Sequence, residues 1–386
     1  MRPIPTRSRT GVLLLAAALS AWSCKESTAP GRYAAQSVTA GTQHSCSLTT
    51  SGAGHCWGWN VYGQLGLGGT DSAAHATPAS VSGGLTFAVM SAGGYHTCGV
   101  TAGGAAYCWG DGVHGQLGNG STANDSAPSA VSGALAFSAV SAGLYHTCGL
   151  VSGGAARCWG YNVAGALGVG TSDTAPHAMP AAVSGGLTFT AVSAGGYHTC
   201  GLTAAGAAYC WGDNTYGQLG DASNATRTVP VPVSGALTFV SISAGGYHTC
   251  GLTSGALVYC WGANGYGELG TGTTSPSTHP EPLPGGFTFA QVSAGLLHTC
   301  GVTTGGTTYC WGYNDAGQLG NGSAANDSVP TTVSGGIRFA SVSAGGYHTC
   351  GLTATGAVYC WGYGQFGQVG NGSTNTAYFP DLASSP

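Results

Sequence analysis

Fourteen of the fifteen cysteines in this chain form seven pairs with nine residues between partners: Cys46/Cys56, Cys98/Cys108, Cys148/Cys158, Cys200/Cys210, Cys250/Cys260, Cys300/Cys310 and Cys350/Cys360. First members recur every 50 or 52 residues. A fixed period of that size means stacked or circular copies of one supersecondary unit, because a single unit cannot bury its own apolar face. Each copy carries four short extended segments. One is a Pro-x-x-Val piece such as Pro230 to Val233, and the next runs from Leu-Thr-Phe to Val-Ser-Ala-Gly, as in Leu237 to Gly245. Two cysteine-bearing runs follow. No segment has helical period or length.

The cysteine runs read as two arms of a hairpin bending at Ala205-Gly206 in the copy that spans residues 193–220. Cys200 and Cys210 are equidistant from residue 205, so an odd-length loop, expected to be three residues, sets them directly opposite and permits a disulfide. His198 shares a strand face with Cys200, so one nitrogen and two sulfurs could face a zinc ion. That set lacks a fourth protein ligand, which favours seven disulfides beside hydrogen-bonded histidines, and no metal or other cofactor is expected.

Four strands per unit and seven units give an all-β fold, a seven-bladed β-propeller with four-stranded blades and one intra-hairpin disulfide per blade. Small Ser-Ala-Gly residues suit the crowded strands near the axis. Trp211 and its six equivalents supply bulk farther out, between blades. Each segment type occurs seven times between Ser37 and Leu382. The two chain ends are expected to share one blade and close the ring by strand pairing.

The strings Gly246 to Thr249 (G-x-x-H-T) and Tyr309 to Gly320 (Y-x-W-G-x-N-x-x-G-Q-L-G) resemble the repeat of the regulator of chromosome condensation family, which is a seven-bladed propeller. The resemblance covers nearly all of residues 33–386. Its cysteines depart from the eukaryotic repeat and look like a secreted bacterial version. Kelch repeats share the length but have another glycine and aromatic order. Taken literally, the family implies guanine-nucleotide exchange on a small GTPase.

Residues 1–24 read as an export signal: Arg2, Arg7 and Arg9 precede an apolar run from Val12 to Leu19 and a small-residue cleavage region ending at Cys24. Cys24 is the unpaired cysteine, and its place resembles a lipoprotein acylation site, although Ala21 stands where that motif usually has leucine. Residues 25–32 are a short linker. The expected location is therefore the cell envelope, through a lipid anchor that is the sole membrane contact, or the extracellular medium. Beyond Cys24 five cations face twelve carboxylates, a formal charge of about −7, and only 5% of the whole chain is charged. That balance speaks against nucleic acid as a partner.

A residue type present in every copy is most simply explained by packing, so distinct function is expected where copies differ. The Gly-Gln-Leu-Gly strings, such as Gly115 to Gly118, precede no helix and read as turns with a leucine tucked between blades rather than phosphate loops. Loops such as Asn119 to Ser126 and Asn321 to Ser328 are oxygen-rich but match no calcium series. The position after each Trp-Gly varies: Trp59, Asp111, Tyr161, Asp213, Ala263, Tyr313 and Tyr363. Propeller symmetry puts these in a ring on one face, with Tyr62, His114, Tyr216, Tyr266 and Phe366 nearby. Rigid, partly polar aromatics suit recognition of a protein or glycan. Trp59, Asp111, Tyr161, Asp213, Tyr313 and Tyr363 are the candidate binding residues.

No catalytic residue is assigned. Asp213 with Glu268 or Asp315 is the nearest approach to a glycosidase pair, and a polysaccharide-active enzyme stands behind the leading expectation. That expectation is a monomeric, exported, non-enzymatic scaffold that binds a protein or glycan of unknown identity through one propeller face.

Overall fold

The computed structural model describes residues 34–386; the expected export segment, Cys24 and the expected linker lie outside the described residues. Twenty-eight strands form seven four-stranded antiparallel sheets, each made of four strands consecutive in the chain. Blade 1 runs Ala35–Ala40, His44–Thr49, Gly54–Gly58 and His75–Ser80, and blade 7 runs Ser341–Ala344, His348–Leu352, Val358–Gly362 and Ala377–Leu382.

Within each central hairpin the two cysteines are direct cross-strand partners, and every expected bond is present. In blade order these are Cys46–Cys56, Cys98–Cys108, Cys148–Cys158, Cys200–Cys210, Cys250–Cys260, Cys300–Cys310 and Cys350–Cys360, each with Cα atoms 4.1 Å apart. Both sulfurs of each pair are thus spent on one another. The second members, Cys56, Cys108, Cys158, Cys210, Cys260, Cys310 and Cys360, are as fully buried as the first, so all fourteen belong to the frame and none offers a thiol to a ligand. The Thr203 and Ala207 backbones bond across a three-residue bend, the odd length that brings the cysteines into register.

The fourth strand is the outer edge of every blade, and each carries a proline, from Pro78 to Pro380. A proline offers no donor to a stray strand, so the seven edges are protected against pairing with another chain.

The expectation of a blade shared between the chain ends is corrected by this topology. The first strand belongs wholly to blade 1 and the last wholly to blade 7. Closure is by face-to-face packing, with loop-backbone and tryptophan hydrogen bonds in place of strand pairing. Gly346 N donates to Gly41 O at 2.9 Å, Gly372 N to Ala76 O at 2.8 Å, and Trp57 Nε1 to Gln368 O at 2.9 Å, all across the seam. The backbone bonds recur between the other blades, for example Gly94 N to Gly143 O, and the tryptophan bond recurs at five of the six other interfaces, for example Trp211 Nε1 to Ala166 O. The seam is therefore a seventh copy of one interface. Blade 1 supplies its own innermost strand and blade 7 its own outermost one, so neither is left incomplete for the other to fill.

Each blade interface has its own apolar core. Between blades 2 and 3 it holds the Cys98–Cys108 disulfide and Leu117 against Phe137, Val140 and Trp159. All seven equivalent tryptophans are fully buried, and the leucine of the Gly-Gln-Leu-Gly turn lies between blades as the sequence suggests. At the axis the strands leave a narrow channel of about 100 Å³ walled by Ala-Gly backbone. A Cβ on Gly41 would stand 2.5 Å from Gly93 O, so glycine is required there by approach of the neighbouring blade. The preceding serine has a use beyond smallness: Ser193 Oγ accepts from Ala244 N at 2.9 Å, and a serine or threonine does the same at every interface.

Six blades lay a phenylalanine flat over a strand glycine, such as Phe239 over Gly251, where a Cβ would fall 2.5 Å from the ring. Blade 1 breaks both halves of the pair together, with Ala35 and Ser47 at the corresponding register positions. Gly251→Val is accordingly expected to displace Phe239 and lower stability by about 1–3 kcal/mol, read as a fall in the urea midpoint.

Candidate functional site

One end of the propeller is built from two short loops per blade. The residue after each Trp-Gly donates its backbone N–H to the carbonyl of the residue just before the strand histidine. The pairs are Trp59 with Gln43, Asp111 with Tyr95, Tyr161 with Tyr145, Asp213 with Tyr197, Ala263 with Tyr247, Tyr313 with Leu297 and Tyr363 with Tyr347. The six candidate residues therefore do share one face, and each is tied to a second, inner ring of side chains.

Sequence reasoning does not single out that inner ring. Tyr95, Tyr145, Tyr197, Tyr247 and Tyr347 occupy a position that looks like part of the repeated framework, and repetition reads as packing. The available signal is that Gln43 and Leu297 interrupt the series. All five tyrosines are half-buried. Ring contacts run from Tyr347 through Tyr363 (6.4 Å), Phe366 (5.9 Å) and Trp59 (5.3 Å) to Tyr95 (5.9 Å). A second run links His114, Tyr161, Tyr145, Tyr197, Tyr247 and Tyr216 at 4.5–6.2 Å, and Tyr266 meets Tyr313 at 4.9 Å. Ala263 and Leu297 mark the gap between these runs. Burial, with the neighbouring phenols, pushes the Tyr95 and Tyr197 hydroxyls above the usual phenol range.

The candidate carboxylates are committed to loop geometry. Asp111 is buried, its Oδ2 accepting from Gln116 Nε2 at 2.9 Å and its Oδ1 from Val113 N at 3.2 Å. Asp213 repeats this with Gln218 Nε2 and Thr215. Glu268 stands at the position of the turn glutamine, 2% exposed, and its Oε2 accepts from Tyr266 N at 2.9 Å; burial raises its pKa. In the oxygen-rich loops, Asn119 donates to Asp125 at 2.8 Å and Asn321 to Asp327 at 3.1 Å, so amides already occupy those oxygens. Arg227 pairs with Asp221, and Arg338 donates to Gly305 O.

The seven strand histidines form a belt between blades. His198 Nε2 lies 2.8 Å from Thr249 Oγ1, which donates to Gln218 O at 2.8 Å. The threonine has a single hydrogen, so the imidazole must be the donor, which assigns the Nε2–H tautomer. The pattern holds around the ring, with Ser45 in the threonine's place for His348. Desolvation lowers the pKa to about 3 for His44, His96, His198, His298 and His348, and to about 4 for His146 and His248. With the neighbouring sulfurs locked in disulfides, these are neutral framework groups.

Comparison with known proteins agrees with this geometry. Residues 133–385 match the RCC1-like domain, and residues 51–100 and 103–150 match the regulator of chromosome condensation (RCC1) repeat. The ultraviolet-B receptor UVR8 of Arabidopsis thaliana is 31% identical over 190 residues, which are 48% of this chain and 43% of the receptor. The chain thus spans less than half of that relative's length. Human WBSCR16 superimposes with a TM-score of 0.78 at 20% identity, over 86% of this chain and 94% of that one, a likeness of fold. The ectodomain of the Physcomitrella patens receptor kinase CR4 gives 0.55 at 26% identity, over 86% and 74%.

Proposed function

The chain belongs to the RCC1-like domain family, and from that premise we propose that it is an exported, non-enzymatic interaction scaffold whose aromatic face captures a protein or glycan. The observation that carries the reading is the set of half-exposed rings around one mouth of the channel, standing on a framework whose carboxylates are tied into its turns. Large rigid side chains with polar tips lose little entropy on binding and dominate many interfaces.

Export is supported by the seven disulfides, which form and persist in oxidising compartments. The CR4 relative is itself an ectodomain. Acylation at Cys24 would hold the scaffold at a membrane surface, and a globomycin-induced precursor shift tests it. Nucleotide exchange draws on family membership alone, and no described residue on this face favours it.

The test replaces Tyr161, Tyr313 and Tyr363 together by alanine and measures capture of envelope glycans and proteins by the immobilised propeller. Losing three aromatic anchors is expected to weaken capture at least tenfold, since a single anchor is often worth more than about 1.4 kcal/mol. Undiminished capture by a folded triple variant would reject this face.

A further inference from the structure

Where blades 6, 7 and 1 meet on the aromatic face, the surface sinks into a cleft of about 420 Å³ walled by Tyr313, Tyr347, Tyr363 and Tyr378. Gln43, Asp315 and Thr376 supply its polar groups. We propose that this cleft is a saccharide subsite that takes a neutral pyranose unit or disaccharide.

Three features select that ligand class. The volume lies in the lower part of the usual range for small-ligand sites, roughly 300–1,000 Å³. Tyrosine rings offer flat apolar surfaces for the C–H face of a pyranose, and their hydroxyls meet its rim. Tyr347 and Tyr363 stand 6.4 Å apart at 62°, giving two walls rather than one platform. Among the described residues no cation lines the cleft, and the Asp315 carboxylate, held in place by Tyr313 Oη at 3.0 Å, disfavours phosphate or acidic sugars while accepting from hydroxyls.

Unspent hydrogen-bonding capacity at the same place points the same way. Gln43 Oε1 is buried without a partner. A quaternary ammonium would suit the rings, yet it has neither donor nor acceptor and would leave Gln43 Oε1 unpaired. A hydroxyl-rich ligand donates to Gln43 Oε1 and to the Asp315 carboxylate together.

The inference rests on the scaffold reading and can fail separately from it. An array of neutral oligosaccharides, followed by calorimetry with cellobiose, maltose and N,N′-diacetylchitobiose, is applied to the intact propeller with choline as competitor. We expect saturable binding of at least one saccharide, weakened tenfold or more by Tyr363→Ala and several-fold by Asp315→Asn. Met179→Ala, an exposed change on the outer strand of blade 3 away from the cleft, should leave it unaltered. Tyr378→Ala on the outermost strand serves as the second cleft variant should Tyr363→Ala fail to fold. No retained saccharide, binding indifferent to the cleft variants, or displacement by choline would each overturn the subsite. Protein capture that still depends on Tyr161 would then leave the scaffold reading standing.

Discussion

Acidification from neutral pH to about pH 5 is expected to unfold the propeller in one steep transition, with uptake of close to seven protons. Each belt histidine is neutral in the fold, its pKa lowered to about 3 or 4 from 6.5. Below pH 6.5 the unfolded chain binds protons that the native state refuses, so stability falls as pH falls; above 6.5 the contribution is complete and flat. The physical obstacle is the second ring nitrogen. Nε2–H is spent on the next blade's hydroxyl, and a proton added at Nδ1 of His198 or His248 meets no acceptor in a site closed to water. One such group costs about 1.4 kcal/mol per pH unit, and seven together about 10 kcal/mol per unit. That is comparable with the whole stability of many proteins, roughly 5–15 kcal/mol. Fluorescence of the seven buried tryptophans, followed in urea at a series of pH values, reads both midpoint and proton uptake. His248→Gln should reduce the uptake by one. A midpoint independent of pH between about 6.5 and 4.5 would contradict the belt.

Reduction is expected to have an effect as large, but only after the fold has been opened. Each disulfide closes a loop of sequence separation 10, for which chain entropy gives about 2.8 kcal/mol and seven copies about 20 kcal/mol. Every bonded cysteine, from Cys46 and Cys56 in blade 1 to Cys350 and Cys360 in blade 7, is fully buried within a blade interface. Millimolar dithiothreitol alone should therefore leave the native protein intact. The same reductant in denaturant should yield a chain that fails to refold on dilution until it is reoxidised. Near-UV circular dichroism and thiol counting distinguish the two conditions. Rapid loss of all seven bonds from the native state would show that they are not core elements.

The disulfide register was legible because it is local: two cysteines ten positions apart on a hairpin with a three-residue bend, such as Cys250 and Cys260 or Cys300 and Cys310, can only face each other. The blade count followed from repetition alone. The ring closure was not legible. The repeat has no marked start, so the same string is compatible with a shared blade or with seven intact ones, and which strands pair within each sheet decides between them. The inner tyrosines were hidden by the same repetition that revealed the fold. Asp111 and Asp213 looked like rim recognition groups, yet their carboxylates are held by glutamines five residues on, a contact that depends on the path of a turn.

Patterning of short strands and paired cysteines, all properties of neighbouring residues, was enough by itself to determine seven stapled all-β sheets of one repeated kind. Tertiary structure alone decided which hydroxyl each belt histidine reaches, which serine oxygen receives the next blade's N–H, and where aromatic side chains converge into a cleft. The reason is distance along the chain: those partners come from different blades, and only packing one sheet against the next brings their atoms within hydrogen-bonding reach.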